Sequence, residues 1–224
     1  MVKIIASLIV CLVIGYAGNA FSQDLGMPCA DAKIQAKRSA ELQQIRADDQ
    51  HDRAWQMKGE QPSETMLIKM GKNDLRHRMR VGEIFGEGCL KSAADYEAAF
   101  MAYQHGNTPD QYFQAFIWSR QAQSLGIPNM KGEIAMAIDR YLVSAGHKQL
   151  FGTQATKPSD DCWCIQPIEE TFSESMRDEY RGGINAAYTG LPYLKILNAN
   201  SKCPTAYCET SLMPSPRGTV VGFW

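Results

Sequence analysis

The sequence predicts a mainly α-helical protein: an antiparallel helical bundle, helical-repeat-like in its packing, with an irregular, disulfide-linked C-terminal lobe. Three observations predict it. Apolar residues recur at helical spacing almost throughout the stretch between the leader and residue 150. The links between these runs are short and hold Gly or Pro, which makes consecutive helices antiparallel neighbours. Past Gln154 the periodicity gives way to a segment punctuated by Pro158, Pro167, Pro192, Pro204, Pro214 and Pro216 and holding four cysteines.

The elements follow in order. Lys3 starts a short positive region, and Ile4 to Ala17 is a nearly uninterrupted apolar run. Gly18-Asn19-Ala20 or Ala20-Phe21-Ser22 then puts small residues at the cleavage-defining positions. This is the layout of a secretory signal peptide over residues 1–22. The run is shorter than the ~20 residues a bilayer span requires, and no later segment is long and apolar enough to cross a membrane. Val10 stands before Cys11 where a lipoprotein carries a small residue. The expected location is periplasmic or secreted.

A helical domain is expected over 23–154 and a Cys- and Pro-rich segment packed on it over 155–224. The first helix, Ala30 to Met57, carries Ile34, Leu42 and Ile45 on one stripe and is broken by Gly59 and Pro62. Ser63 caps a second helix to about Phe85, with Met66, Met70, Leu75 and Met79 as its apolar positions. Ser92-Ala93-Ala94-Asp95 reads as a capping box for a third helix ending near His105-Gly106. The fourth has the strongest start: Thr108 as cap, Pro109 at the first helical position and Gln111 placed to reach back. It ends at Gly126. The fifth begins near Asn129, buries Ile134, Ile138, Tyr141, Leu142 and Ala145, and stops at Gly146. Beyond it the one good helix candidate is Ser173 to about Tyr180, with Gly182-Gly183 after Arg181 as a terminator, and Cys203 to Trp224 reads as loop.

Of 224 residues, 45% are hydrophobic and 21% charged, which excludes a disordered tail or a coiled-coil rod. The net charge of −1, with no basic stripe, excludes a nucleic-acid binder. The cluster Lys69, Lys72, Arg76, Arg78 and Arg80 spreads around a helix and reads as solvated surface. Cleavage of the leader leaves Cys29, Cys89, Cys162, Cys164, Cys203 and Cys208. An even number in an exported chain reads as disulfides. The last four are expected to bridge among themselves, leaving Cys29 for Cys89 by elimination. A four-thiolate zinc site needs a gap of two to four residues in each half, and Cys162-x-Cys164 is too short.

One stretch is distinctive. Asp95-Tyr96-x-Ala98-Ala99, Gln104-His105-Gly106-x-Thr108-Pro109, Asp139-Arg140-Tyr141-Leu142 and Gly146-x-x-Gln149-x-Phe151-Gly152-Thr153-Gln154 follow one another in order. This set, with Asp49-Gln50-x-x-Arg53 upstream, resembles an uncharacterised bacterial family of unknown function. The resemblance covers about half the mature chain and implies a helical domain. It supplies no reaction, and the segment from Lys157 onward departs from it.

These motifs offer chemistry if they converge. His105, with an ordinary pKa near 6.5, can serve as general base or ligand. Asp139 would orient it as the third member of a triad does. Arg53 and Arg140 would clamp a carboxylate or phosphate, with Asp49, Gln104, Gln149, Thr153 and Gln154 completing a polar cleft. The same residues have structural readings. His105 at a helix C-terminus caps carbonyls, Asp139-Arg140 bridges to a neighbouring helix, and Gly146 to Gln154 is a fixed connection whose side chains satisfy buried backbone groups. His51, His77, His105 and His147 show no metal-binding spacing, the serines lie in no nucleophile elbow, and no glycine loop forms a phosphate cradle. No metal or cofactor is expected. The function expected is therefore an exported binding or interaction module for an unidentified small ligand or protein partner. The alternative is a small hydrolase or transferase using His105 and Asp139 on an anionic substrate.

Overall fold

The computed structural model describes residues 27–57, 61–158, 162–181, 189–199 and 202–224. The expected leader, Gly59 and Gly182-Gly183 lie outside the described residues.

The helical body is built by caps and breakers. A short 3-10 turn, Pro28–Ala30, leads into α1, Ala32–Asp52, where Asp31 accepts hydrogen bonds from the backbone N–H of Lys33 and Ile34. Its apolar stripe is shorter than expected: Leu42 and Ile45 are buried, while Ile34 is exposed. The chain leaves α-helical geometry at Arg53 and resumes as α2, Ala54–Met57. Helix α3 spans Glu64–Gly86 from its Ser63 cap. Helix α4, Ala93–Gln104, starts with the full Ser92/Asp95 capping box. Helix α5, Pro109–Ser124, is capped by Thr108, and Gln111 reaches back to the N–H of Asn107. Helix α6, Lys131–Ser144, ends in a Schellman motif. His147 N–H donates to Leu142 O and Gly146 N–H to Val143 O, with Gly146 at φ 83°. Helices α4, α5 and α6 pack successively on one another and α1 lies on α4, around Phe100, Trp118, Ile134, Ile138 and Leu142.

The face that α3 buries differs from the one its methionines suggest. Met66, Leu75 and Met79 are exposed, and Asp74, His77, Arg78, Val81 and Ile84 point inward. Asp74 and Arg78 are buried there with partners, Arg53 and the His105 carbonyl, whereas His77 Nδ1 is buried with no hydrogen-bond partner among the described residues.

Past Gly146 the chain is held by side-chain and backbone hydrogen bonds more than by regular structure. Ala155–Thr156 (β1) pairs antiparallel with Cys164–Ile165 (β2). Helix α7 spans Glu174–Arg181 and α8 spans Gly190–Leu197. Sequence reading missed α8 because Gly190 and Pro192 look like breakers. Both fall in its first turn, where backbone N–H groups have no intrahelical acceptor and proline costs little. The three disulfides are Cys29–Cys89, Cys162–Cys203 and Cys164–Cys208. They are consistent with an oxidising extracytoplasmic compartment. No described helix is long and apolar enough to cross a membrane. Phe223 reaches Phe116 and Tyr180, and Trp224 stacks edgewise on Phe172 while its indole N–H donates to Ser215 O. These contacts pin the last residues across the seam between the helical body and the lobe.

Candidate functional site

Two polar clusters gather the residues singled out in the sequence. The first lies where the C-terminal end of α1, the middle of α3 and the end of α4 meet. Asp49 and Arg53 lie one turn apart, so they share a face. The Asp49 side chain is only 1% exposed, and its Oδ1 accepts from His105 Nδ1 at 2.9 Å and from Arg53 Nη1 at 3.1 Å. Gln50 Nε2 donates to its other oxygen at 2.9 Å. Arg53 Nη2 spans both oxygens of Asp74 at 2.8 and 2.7 Å. Arg53 is thus bracketed by two carboxylates and is no free clamp, contrary to the sequence expectation.

Burial alone would push the Asp49 carboxyl up. The hydrogen bond and charge of His105, the Arg53 guanidinium and the Gln50 amide outweigh it and hold the group below the ordinary carboxylate range. Ionised Asp49 only accepts, so His105 Nδ1 carries the hydrogen of this bond and Nε2 is the ring nitrogen left over. The imidazole is 20% exposed, and Nε2 has no hydrogen-bond partner among the described residues. The carboxylate that orients His105 is therefore Asp49, and not Asp139.

The second cluster is the loop after α6. Asp139 is fully buried. Its Oδ1 accepts from the N–H of Leu150 at 2.8 Å and Phe151 at 3.0 Å, and its Oδ2 from Phe151 N–H at 3.2 Å. The N–H and hydroxyl of Thr153, both at 2.9 Å, also donate to Oδ2. Burial pushes this carboxyl up, and the N–H and hydroxyl donors pull it back without cancelling the effect. Gln149, also fully buried, donates to Gln154 O and Gln166 O and accepts from Gln154 N–H. Gly152, at φ 83°, lies where an added Cβ would meet the Gly190 backbone at 3.0 Å. Asp139, Gln149 and Thr153 are thereby engaged in holding the loop. The Gly152-Thr153-Gln154 stretch is a hydrogen-bond design for an irregular backbone.

Arg140 and Gln154 connect the clusters. Arg140 Nε donates to Gln154 Oε1 at 3.1 Å and Nη1 to Gln104 O at 2.6 Å, and the guanidinium lies 5.8 Å over the Tyr112 ring. Arg140 has no carboxylate partner among the described residues. Burial lowers its pKa, the Arg53 charge adds to that, and Tyr112 and Tyr193 oppose it. Arg78 Nη1 donates to His105 O at 2.6 Å, so two arginines cap the last carbonyls of α4.

Sequence reading leaves out Asp74, takes His77 only as a histidine without metal-binding spacing, and assigns Arg78 to solvated surface, whereas all three are buried here. Their signal was present: positions 74, 77, 78, 81 and 84 repeat at helical spacing with Val81 and Ile84, so they share the buried face. Of the basic cluster on this helix, Arg78 is buried, and Arg80 is paired with Glu41 and Glu83. No group of metal-ligating side chains occurs among the described residues. A cleft of about 760 Å³ lies in the C-terminal lobe, lined in part by Phe151, Ile168, Leu191 and Tyr207. None of the residues of the first cluster lines it.

The first cluster makes stability depend on pH. Burial drives the His77 imidazole below its ordinary value of 6.5, Arg76 reinforces this, and Asp49, Asp48 and Asp74 oppose it. A histidine held neutral contributes stability that is complete above the unfolded value and is lost as pH falls below 6.5. The Asp49 contribution is present above the unfolded value of 3.8 and is lost as pH falls through its depressed native value. The urea midpoint of the wild type is expected to drop between about pH 7.5 and about pH 5.5, and that of His77→Gln to drop less. Parallel slopes in the two proteins would show that His77 is not held neutral.

Comparison of the chain with protein-family models, with curated proteins and with solved structures gives no match.

Proposed function

We propose that this chain is an exported helical binding module, periplasmic or secreted, that holds the anionic group of a small ligand against Arg140, with His105 Nε2 alongside. One observation carries the reading. Arg53 is neutralised by Asp49 and Asp74, whereas Arg140 is held by a carbonyl, an amide oxygen and an aromatic face, with no acid beside it among the described residues. Arg78 and Arg140 meet the end of α4 through carbonyl oxygens, and neither is ion-paired to a carboxylate among the described residues, so an incoming anion finds unanswered positive charge there. A planar guanidinium offers paired donors to a carboxylate or phosphate.

The test is calorimetry and thermal shift with inorganic phosphate, sulfate and succinate. At least one of these is expected to bind the wild type, and Arg140→Met is expected to weaken it by about 10- to 100-fold, the worth of a charge-assisted hydrogen bond. Gln154→Ala, which frees the guanidinium from its amide support, should weaken it less. If none of the anions binds, or if Arg140→Met binds as tightly, the reading fails.

The Asp49–His105 hydrogen bond favours a second reading, in which the bound anion is turned over by a hydrolase or transferase with His105 Nε2 as general acid or base. Here His105→Ala would abolish turnover with little loss of stability, and Asp49→Asn would lower turnover by misorienting the ring. Marked destabilisation of His105→Ala with no activity to lose would assign the pair to the fold.

A further inference from the structure

Helix α3 carries a second apolar face that the fold does not use. Ile68, Leu75 and Met79 are 53%, 53% and 61% exposed, and their spacing of seven and four residues lines them up along one side. This side lies roughly opposite Asp74, His77, Val81 and Ile84, which the fold buries. Met66 and Leu67 are exposed at the first turn as well, but on other sides of the helix. Added Cβ atoms at Gly71 and Gly86 would meet nothing within 4 Å, so both positions are open.

Charge accompanies this stripe on one flank. Lys69, Lys72 and Arg76 are exposed beside it, and none of them forms an ion pair among the described residues. The other basic residues of the helix are committed inward or to neighbouring acids: Arg78 to His105 O, Arg80 to Glu41 and Glu83. The outer surface is thus apolar side chains bordered on one flank by these three unpaired cations, with Glu64 and the Arg80-paired Glu83 as its acids, on a convex helix. That is the layout of a helix lying in a membrane interface, where long basic side chains reach up to headgroups while apolar ones dip below. A convex ridge suits a fluid surface that conforms to it better than a rigid protein face, which needs a matching groove.

We infer that the outer face of α3 docks this protein on an anionic lipid surface, independently of the ligand site at Arg140. The experiment is co-sedimentation of the protein, produced with its leader and purified after export, with vesicles of phosphatidylglycerol and phosphatidylcholine at low salt. The wild type is expected in the pellet, and high salt or pure phosphatidylcholine should release it. Both Ile68→Ser/Leu75→Ser/Met79→Ser and Lys69→Glu/Lys72→Glu/Arg76→Glu should lower the apparent affinity at least about tenfold. These positions are exposed, so circular dichroism and the melting temperature should be unchanged in both variants, which separates lost docking from lost folding. A wild type that stays in the supernatant overturns the inference, as does pelleting equal in all three proteins. A wild-type dimer in solution that the serine variant turns into a monomer also overturns it, and makes this face an interface between copies of the chain.

Discussion

Asp139→Ala is expected to be among the most damaging single substitutions in this chain, costing about 4 kcal/mol or more, enough to leave a marginal domain partly unfolded. The carboxylate is fully buried and is the acceptor for the N–H groups of Leu150, Phe151 and Thr153 and for the Thr153 hydroxyl. Alanine leaves these donors facing a small void from which bulk water is excluded, and each unpaired N–H costs about 1–3 kcal/mol. The near-isosteric Asp139→Asn should fare little better. Both carboxylate oxygens accept from backbone N–H groups, so either orientation of the amide points its NH₂ at a donor. Denaturant titration of the three proteins checks this. An Asn variant as stable as the wild type would mean that the carboxyl is protonated in the fold, the direction in which burial pushes it. The damage should spread to the ligand site, because Thr153 is bonded to Gln154, which supports Arg140.

That dependence shows why the sequence was legible for the fold and only partly for the site. Caps at Ser63, Ser92 and Thr108 and the stop at Gly146 act through adjacent residues, and the structure has each of them where local chemistry puts it. The pairing of His105 was not local. Asp49 lies 56 positions from His105, and choosing between it and Asp139 depends on how α1 and α6 lie against the end of α4. Nothing in periodicity contains that. The inward face of α3 was misjudged for a related reason. Methionine looks like core by composition, but Asp74 and Arg78 gain partners on α1 and α4 that a single helix cannot reveal, and burial follows the partners. Helix α8 was hidden by Pro192, whose cost vanishes in a first turn.

The disulfides should contribute unequally, and their topology says in which order. Cys29–Cys89 closes a loop of 60 residues, and no other bridge spans it. Chain entropy assigns such a closure about 4 kcal/mol. Cys162–Cys203 and Cys164–Cys208 interleave, with separations of 41 and 44. With either one formed, the other closes a ring of only about eight residues, worth about 2.5 kcal/mol by the same relation. Cys29→Ala/Cys89→Ala is therefore expected to lower stability by about 4 kcal/mol, and Cys162→Ala/Cys203→Ala by little more than half of that. Packing acts in the same direction. Cys29 and Cys89 are buried, and Gln35 Nε2 and Lys91 Nζ donate to the carbonyls of Cys89 and Cys29, so this bridge also anchors the start of α1 to the turn after α3. Asp49 lies near the other end of α1, about 25 Å along the helix. At temperatures where the Cys29→Ala/Cys89→Ala protein is still folded, its affinity for phosphate or succinate should therefore match the wild type. Equal losses from the two pairs of substitutions would show that entropy of the unfolded chain is not what these bridges act on. A loss of anion affinity in the folded variant would mean that α1 positions Asp49 and Arg53 only while its far end is tied.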